Sequence, residues 1–166
     1  MKSASKTATK PATKSAHVDA IALLIDDHKQ VKKLFKEYEK LAKQDDTEGK
    51  VEIAMQICDE LTVHATIEEE IFYPAARAAI KDDDMLNEAT VEHATAKDLI
   101  AQIQEMSGDD EMYDAKVKVL SEYIEHHVEE EETEMFPKAK KAKMDLEGLG
   151  VQLMERKEEL TTEAVA

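Results

Sequence analysis

Four histidines and two glutamates stand where the surrounding pattern calls for apolar side chains. His28, His64, His93 and His127 each fall on an apolar stripe at a position suited to leucine, and Glu68 and Glu131 follow two of them by one helical turn. A carboxylate is seldom fully buried unless it is paired or bound to a metal. A lone histidine on such a stripe is usually a hydrogen-bonded core residue, and a lone glutamate there usually signals a misjudged register. Six such residues in a repeated arrangement are not explained that way. Residues four apart on a helix lie over one another, so each His-x-x-x-Glu puts an imidazole and a carboxylate on one wall. Two such walls, with one histidine from each of two further helices, bring four nitrogens and two carboxylates towards one axis. That is too many ligands for one tetrahedral zinc. It suits two metals of borderline hardness, each with two histidines and both bridged by the carboxylates. Iron is the leading candidate, with manganese or mixed occupancy behind it.

The elements that must position these residues are helical. Ile21, Leu24, Ile25, His28, Val31, Leu34, Phe35, Tyr38 and Leu41 recur at steps of three and four, the mark of an amphipathic helix. A second stripe runs through Ala54, Ile57, Leu61, His64, Glu68 and Ile71, and its helix is expected to continue past Pro74 or kink there. Asp82, Asp83 and Asp84 offer N-caps for a third helix carrying Leu86, Ala89, His93, Ala96, Ile100 and Ile103. A fourth should start near Asp110 and align Val117, Leu120, Ile124, His127, Glu131 and Met135 before Pro137 weakens it. Residues 146–160 form a shorter fifth helix. Short connections between long helices force antiparallel neighbours, so the expected fold is all-α, an up-down-up-down antiparallel four-helix bundle with a short C-terminal fifth helix. The spacing His64–Glu68–Pro74 repeats as His127–Glu131–Pro137, which makes the chain two helical hairpins of similar design.

Composition agrees and narrows the functions. The 166 residues have room for one domain of ordinary size. With 22 basic and 38 acidic residues the formal net charge is −16, which repels phosphate backbones and argues against nucleic-acid binding. Few glycines and prolines disfavour an all-β fold. A single cysteine excludes an intramolecular disulfide and fits a reducing compartment, so a cytoplasmic location is expected. The longest apolar run, residues 20–25, is too short to cross a bilayer, and no basic-then-apolar leader precedes it. Residues 1–16 hold four lysines and no acid, and are expected to be a disordered basic tail. Residues 17–160 form the bundle with its C-terminal helix, and residues 161–166 a flexible end.

Other residues compete for roles. His126 with Glu130 also satisfies His-x-x-x-Glu, but that register breaks the match of Pro137 with Pro74, so His127 and Glu131 are preferred. Glu69 and Glu132 are read as solvated partners rather than extra ligands. His17 has no spaced partner. Phe72, Met135 and Phe136 are read first as core, and second as walls of a small apolar pocket for a diatomic molecule. Cys58 is expected to be an inert buried thiol. The Glu-x-x-His pair of ferritin-like carboxylate enzymes is absent, as is the His-Glu-x-x-His of zinc proteases. A metal-free interaction bundle would leave the six buried-stripe residues unexplained.

A lone His on helix one, His-x-x-x-Glu on helix two, His on helix three and His-x-x-x-Glu running into Phe-Pro on helix four resemble hemerythrin-like domains of the His-His-Glu cation-binding type. The resemblance covers roughly residues 18–160. It implies a centre of two non-haem irons, oxo- or hydroxo-bridged, that binds or senses oxygen, nitric oxide or peroxide, with redox activity as an extension. On that resemblance His28 and His64 serve one iron, His93 and His127 the other, and Glu68 and Glu131 bridge. Binding or sensing is favoured over enzymatic turnover, with an iron-dependent oxidase or peroxidase as the alternative. Two departures matter. Lys97 stands where oxygen-carrying hemerythrins have a second histidine on helix three, and Glu131 replaces an aspartate with a shorter gap. The first removes one ligand and opens a coordination position. Lys97 itself is expected to turn away or to pair with Glu131, Glu132 or a bound anion.

Overall fold

The structure is a computed structural model that describes residues 18–165. The basic segment 1–16, His17 and Ala166 lie outside the described residues. The elements are helices α1 (Ala20–Lys43), α2 (Thr47–Ile67), α3 (Tyr73–Ile80), α4 (Asp83–Glu105), α5 (Tyr113–Glu130), α6 (Phe136–Lys141) and α7 (Leu146–Val165). Two single π-helical turns, Glu68–Phe72 and Glu131–Met135, join α2 to α3 and α5 to α6. No strand occurs among the described residues, and none of their helices is long and apolar enough to cross a membrane. The architecture is the expected all-α bundle: α1 pairs with α2, α4 pairs with α5, α3 packs on α4 and α6, and α7 packs back on the first hairpin.

Local chemistry sets the boundaries. Asp19, Asp46 and Asp82 cap α1, α2 and α4, each side chain accepting from a backbone N–H three residues on. The fourth bundle helix starts at Tyr113, later than expected, because Asp110 instead closes a turn, accepting from Met112 N with its side chain and from Tyr113 N with its carbonyl. α7 continues to Val165, beyond the expected stop at Leu160.

Pro74 and Pro137 are handled the same way. Pro74 has no N–H to give, and its ring presses on the carbonyl four residues back. The chain stays helical through it. The helix widens by one residue, with Tyr73 N–H bonded to the Glu68 carbonyl five residues behind it; Phe136 N–H and the Glu131 carbonyl repeat this before Pro137.

Two apolar clusters fill the bundle. One holds Leu24, Ile67, Phe72, Leu86, Phe136 and Leu153 at the α7 end; the other holds Val31, Phe35, Ile57, Leu61, Ile103 and Leu120. Gly150 lets α7 lie against the start of α1, because a methyl group there would collide with the Val18 carbonyl oxygen. On each long helix of the bundle the histidine falls at the handover from one cluster to the other.

Candidate metal centre

His28 comes from α1, His64 from α2, His93 from α4 and His127 from α5, while Glu68 and Glu131 open the two π turns. All six are buried, and the two glutamates almost completely, at 0% and 1% exposure. His64 Nε2 lies 3.0 Å from Glu68 Oε1, and His93 Nε2 lies 3.4 Å from the same oxygen. His28 Nε2 is 3.2 Å from Glu131 Oε1, and His127 Nε2 is 3.3 Å from Glu131 Oε2. Each carboxylate thus faces one histidine from either hairpin. The imidazoles themselves pair as His28 with His64 and His93 with His127, with ring centroids 4.9 Å and 4.8 Å apart.

The contacts are close but leave several of these atoms unsatisfied. His28 Nε2, His64 Nε2, both Glu68 oxygens and Glu131 Oε1 are buried without a hydrogen-bond partner. Unpaired buried polar atoms are costly, and a cluster of them that converges on common points is the signature of a cation site. Donor atoms about 2.1 Å from one ion and at right angles to each other lie roughly 3.0 Å apart, close to the separations seen here. The residues present therefore fit a bound metal cation.

The outer faces of the imidazoles carry carboxylates that sequence reasoning missed or assigned only loosely. Asp27 Oδ2 accepts from His64 Nδ1 at 2.9 Å, and Glu69 Oε2 lies 3.3 Å from His93 Nδ1. Glu92 approaches His127 Nδ1 to 3.6 Å and Glu132 approaches His28 Nδ1 to 3.9 Å. At His64 and His93 the carboxylate on the outer nitrogen keeps the proton there and turns the Nε2 lone pair inward, the arrangement that makes an imidazole a metal ligand. At His28 and His127 the outer carboxylates stand too far off to bond. Asp27 and Glu92 directly precede His28 and His93, yet each serves the histidine of the neighbouring helix. Glu69 and Glu132 stay half-buried on the outside, clear of the inner cluster.

Without a metal, protons supply the positive charge. Burial disfavours the charged imidazoles, but Glu68 and Asp27 outweigh it at His64 and push its pKa up to about 10. At His127, Glu131 and Glu92 likewise prevail over burial and push it up to about 11. Burial works against the Glu131 carboxylate too, but His127 and His28 hold it well below the usual range. Asp27 is lowered against its own burial by His64 and Lys157.

Tyr73 was invisible to helical periodicity. On a regular helix it would sit off the Glu68 stripe, and only the extra residue of the π turn brings it round. Its hydroxyl donates to Glu131 Oε2 at 2.5 Å and lies 3.1 Å and 3.2 Å from Nε2 of His93 and His127. Burial, then Glu131 and Glu68, raise its pKa well above the ordinary phenol value, so it stays a donor. The signal in the sequence was Pro74, which directly follows Tyr73. At the equivalent place Phe136 stacks on His28, 6.1 Å between centroids and 6° between planes.

The remaining candidates fall as follows. His126 and Glu130 pair with each other at 3.2 Å on the outside, and His126 is exposed. Phe72, Met135 and Phe136 are core. A cavity of about 40 Å³ instead lies on the opposite side, where all four histidines meet Val31, Leu61 and Ile124. Space of that size holds a few waters or a diatomic molecule. Lys97 lines it with its stem, while its ammonium turns outward to Glu69 at 2.6 Å, not to Glu131 or Glu132. The i,i+4 position points Lys97 past His93 to the bundle edge, where Glu69 is the carboxylate within reach. Cys58 is buried in the second cluster, and burial pushes its thiol up to about 11.

A helical bundle with two His-x-x-x-Glu walls and two opposing histidines defines the class, and comparison agrees. The family described as hemerythrin HHE cation binding domain matches residues 19–139, and this chain belongs to it. A hemerythrin HHE cation binding domain-containing protein from Mycobacterium kansasii has a similar crystal structure, with a TM-score of 0.72 and 25% sequence identity over 89% of this chain and 90% of that one. A DNA nickase from Nostoc sp. (strain PCC 7120 / SAG 25.82 / UTEX 2576) is 33% identical over 110 residues, 66% of this chain. The matched segment spans 30% of that nickase's length.

Proposed function

We propose that this cation-binding domain holds two irons, His28 and His64 serving one and His93 and His127 the other, with Glu68 and Glu131 shared. The observation that carries this reading is the set of buried, unpartnered Nε2 and carboxylate oxygen atoms converging between the two apolar clusters. The shared role of the glutamates is supported by Glu131, whose two oxygens face different hairpins, and by Glu68 Oε1, which faces His64 and His93 together. Imidazole and carboxylate in this ratio suit iron better than zinc.

The centre binds or senses a small ligand such as oxygen, nitric oxide or peroxide. Bound iron would supply an electron-rich, ligand-accepting metal. The chain supplies the rest. The small cavity beside the histidines admits a ligand of a few atoms and excludes larger ones. Lys97 offers no inward donor to fill it, because Glu69 holds its ammonium outside. Tyr73 keeps a proton at Glu131 Oε2, on the His93–His127 side. A groove of about 450 Å³ between α1 and α5 reaches His28 from solvent, past Val31 and Val128. The nickase's activity is not carried over: a formal charge of −16 opposes contact with phosphate backbones.

The test is anaerobic loading with ferrous iron, followed by metal analysis and absorption spectra before and after oxygen, azide, nitric oxide and peroxide. About two irons per chain and ligand-dependent charge-transfer bands are expected. One tightly held metal per chain, or a preference for zinc, overturns the reading.

A further inference from the structure

The four outer carboxylates are not held alike. Asp27 is gripped from both sides, with Oδ2 on His64 Nδ1 at 2.9 Å and Oδ1 accepting from Lys157 Nζ at 2.5 Å. Glu69 also has a lysine, Lys97 at 2.6 Å, and approaches its histidine to 3.3 Å. Glu92 and Glu132 have no lysine or arginine partner among the described residues, and stand off at 3.6 Å and 3.9 Å. The lysine-backed carboxylates are the ones close to their imidazoles.

Lys157 differs from Lys97 in origin. It lies on α7, 130 residues from Asp27 and outside the segment 19–139 that the family match covers. α7 reaches this position on its own anchors. Leu149 and Leu153 are buried in the cluster at that end, Gly150 lies against the start of α1, and Arg156 binds Glu70 through two hydrogen bonds. Asp27 is 8% exposed, and Lys157 reaches its second oxygen from the α7 side.

We propose that Lys157 is a positioning residue for the metal centre: by pinning Asp27 it fixes the orientation of His64, so that docking of α7 governs how firmly the His28–His64 half holds its metal. The inference rests on the two-metal reading above. A pinned Asp27 holds the proton on His64 Nδ1 and keeps Nε2 facing Glu68. When Lys157 is lost, Asp27 is free to turn towards solvent, and the imidazole loses its brace. α7 is then part of the site rather than a cap on the bundle.

The experiment compares full-length wild type with Lys157→Met, Lys157→Arg, Asp27→Asn and the double variant Asp27→Asn/Lys157→Met. Each is loaded anaerobically with ferrous iron and challenged with ferrozine, and iron release is followed with time. In Lys157→Met one of the iron equivalents should leave about 10–100-fold faster, the range typical for loss of a group that orients a ligand. The other should leave at the wild-type rate. Lys157→Arg should restore slow release, and the double variant should release no faster than Asp27→Asn, because the two residues act through one contact. The metal-free melting temperature of Lys157→Met should match wild type. Release at the wild-type rate overturns the proposal. Equal acceleration of all the iron, or a lowered metal-free melting temperature, does so as well, since either makes Lys157 a general structural residue. The two-metal reading is judged on wild-type stoichiometry alone, so its failure is distinguishable from failure of the Lys157 proposal.

Discussion

The two halves of the centre follow one plan, and the aromatic residue ahead of each proline sets them apart: a tyrosine in the first hairpin, a phenylalanine in the second. Asp27-His28 corresponds to Glu92-His93, His64–Glu68–Glu69 to His127–Glu131–Glu132, and Tyr73-Pro74 to Phe136-Pro137. The halves also interlock. Tyr73, from the first hairpin, reaches the histidines of the second, and Phe136, from the second, covers His28 of the first. On the His93–His127 side the aromatic residue brings a hydroxyl into the ligand cluster; on the His28–His64 side it brings only an apolar face. A single side chain has therefore given one half of a repeated scaffold a hydroxyl donor and left the other half apolar, and in that sense dry, at the equivalent place. The lysines mark a second asymmetry: Lys97 belongs to the bundle, whereas Lys157 is contributed by α7.

Removing the metals should have the largest effect and should touch both halves. Binding at a thousandfold excess over Kd stabilises by about 4 kcal/mol per site, so stripping iron from both sites should lower the melting temperature by roughly 20 °C for a domain of this size. The metal-free chain should remain helical by circular dichroism, because the apolar clusters do not depend on the ion. Metal-free and loaded forms that melt together would mean that the six residues do not hold a metal.

Removing one half at a time comes next. His64→Ala and His127→Ala should each lose about one of two metal equivalents, read by elemental analysis, while His126→Ala should lose none. Loss in His126→Ala, or complete loss in both inner variants, would break the picture of two separable halves.

Exchanging the aromatic residues should act more gently and in one direction. Tyr73→Phe leaves Glu131 Oε2 without its hydroxyl donor, at a cost of roughly 1–3 kcal/mol in the metal-free protein, and gives the two halves the same aromatic residue. Its loaded spectrum should shift, whereas Phe136→Leu, which keeps the dry side dry, should move the spectrum little. Equal shifts in the two variants would remove the distinction.

The smallest expected effect is at Lys97. Lys97→His places an imidazole on the cavity wall and should weaken azide binding roughly tenfold as it fills the space, with metal content unchanged. Unchanged azide affinity would show that the cavity is not where exogenous ligands meet the metal.

Much of this was legible in the residues. The histidines and glutamates declared themselves because a 3.6-residue period predicts which positions face inward, and polar residues in those places need a reason. The choice of His127 over His126 followed from the same period together with the repeated proline, and the structure buries one and exposes the other. Tyr73 escaped because one added residue in a helix turns everything after it by about 100°. The outer carboxylates escaped because Asp27 and Glu92 neighbour one histidine in sequence but serve another in space.

The sequence by itself determined the helices, their pairing into two like hairpins, and the six residues that face their shared axis, because helical periodicity is local and the chain repeats it. Only the tertiary structure decided which groups hold those residues in place. The Asp27–His64 contact, the Lys157–Asp27 contact and the meeting of Tyr73 with Glu131 join residues 37, 130 and 58 positions apart. Such contacts depend on how helices pack and where their turns widen. No local pattern encodes those distances, so they become visible only once the bundle is closed.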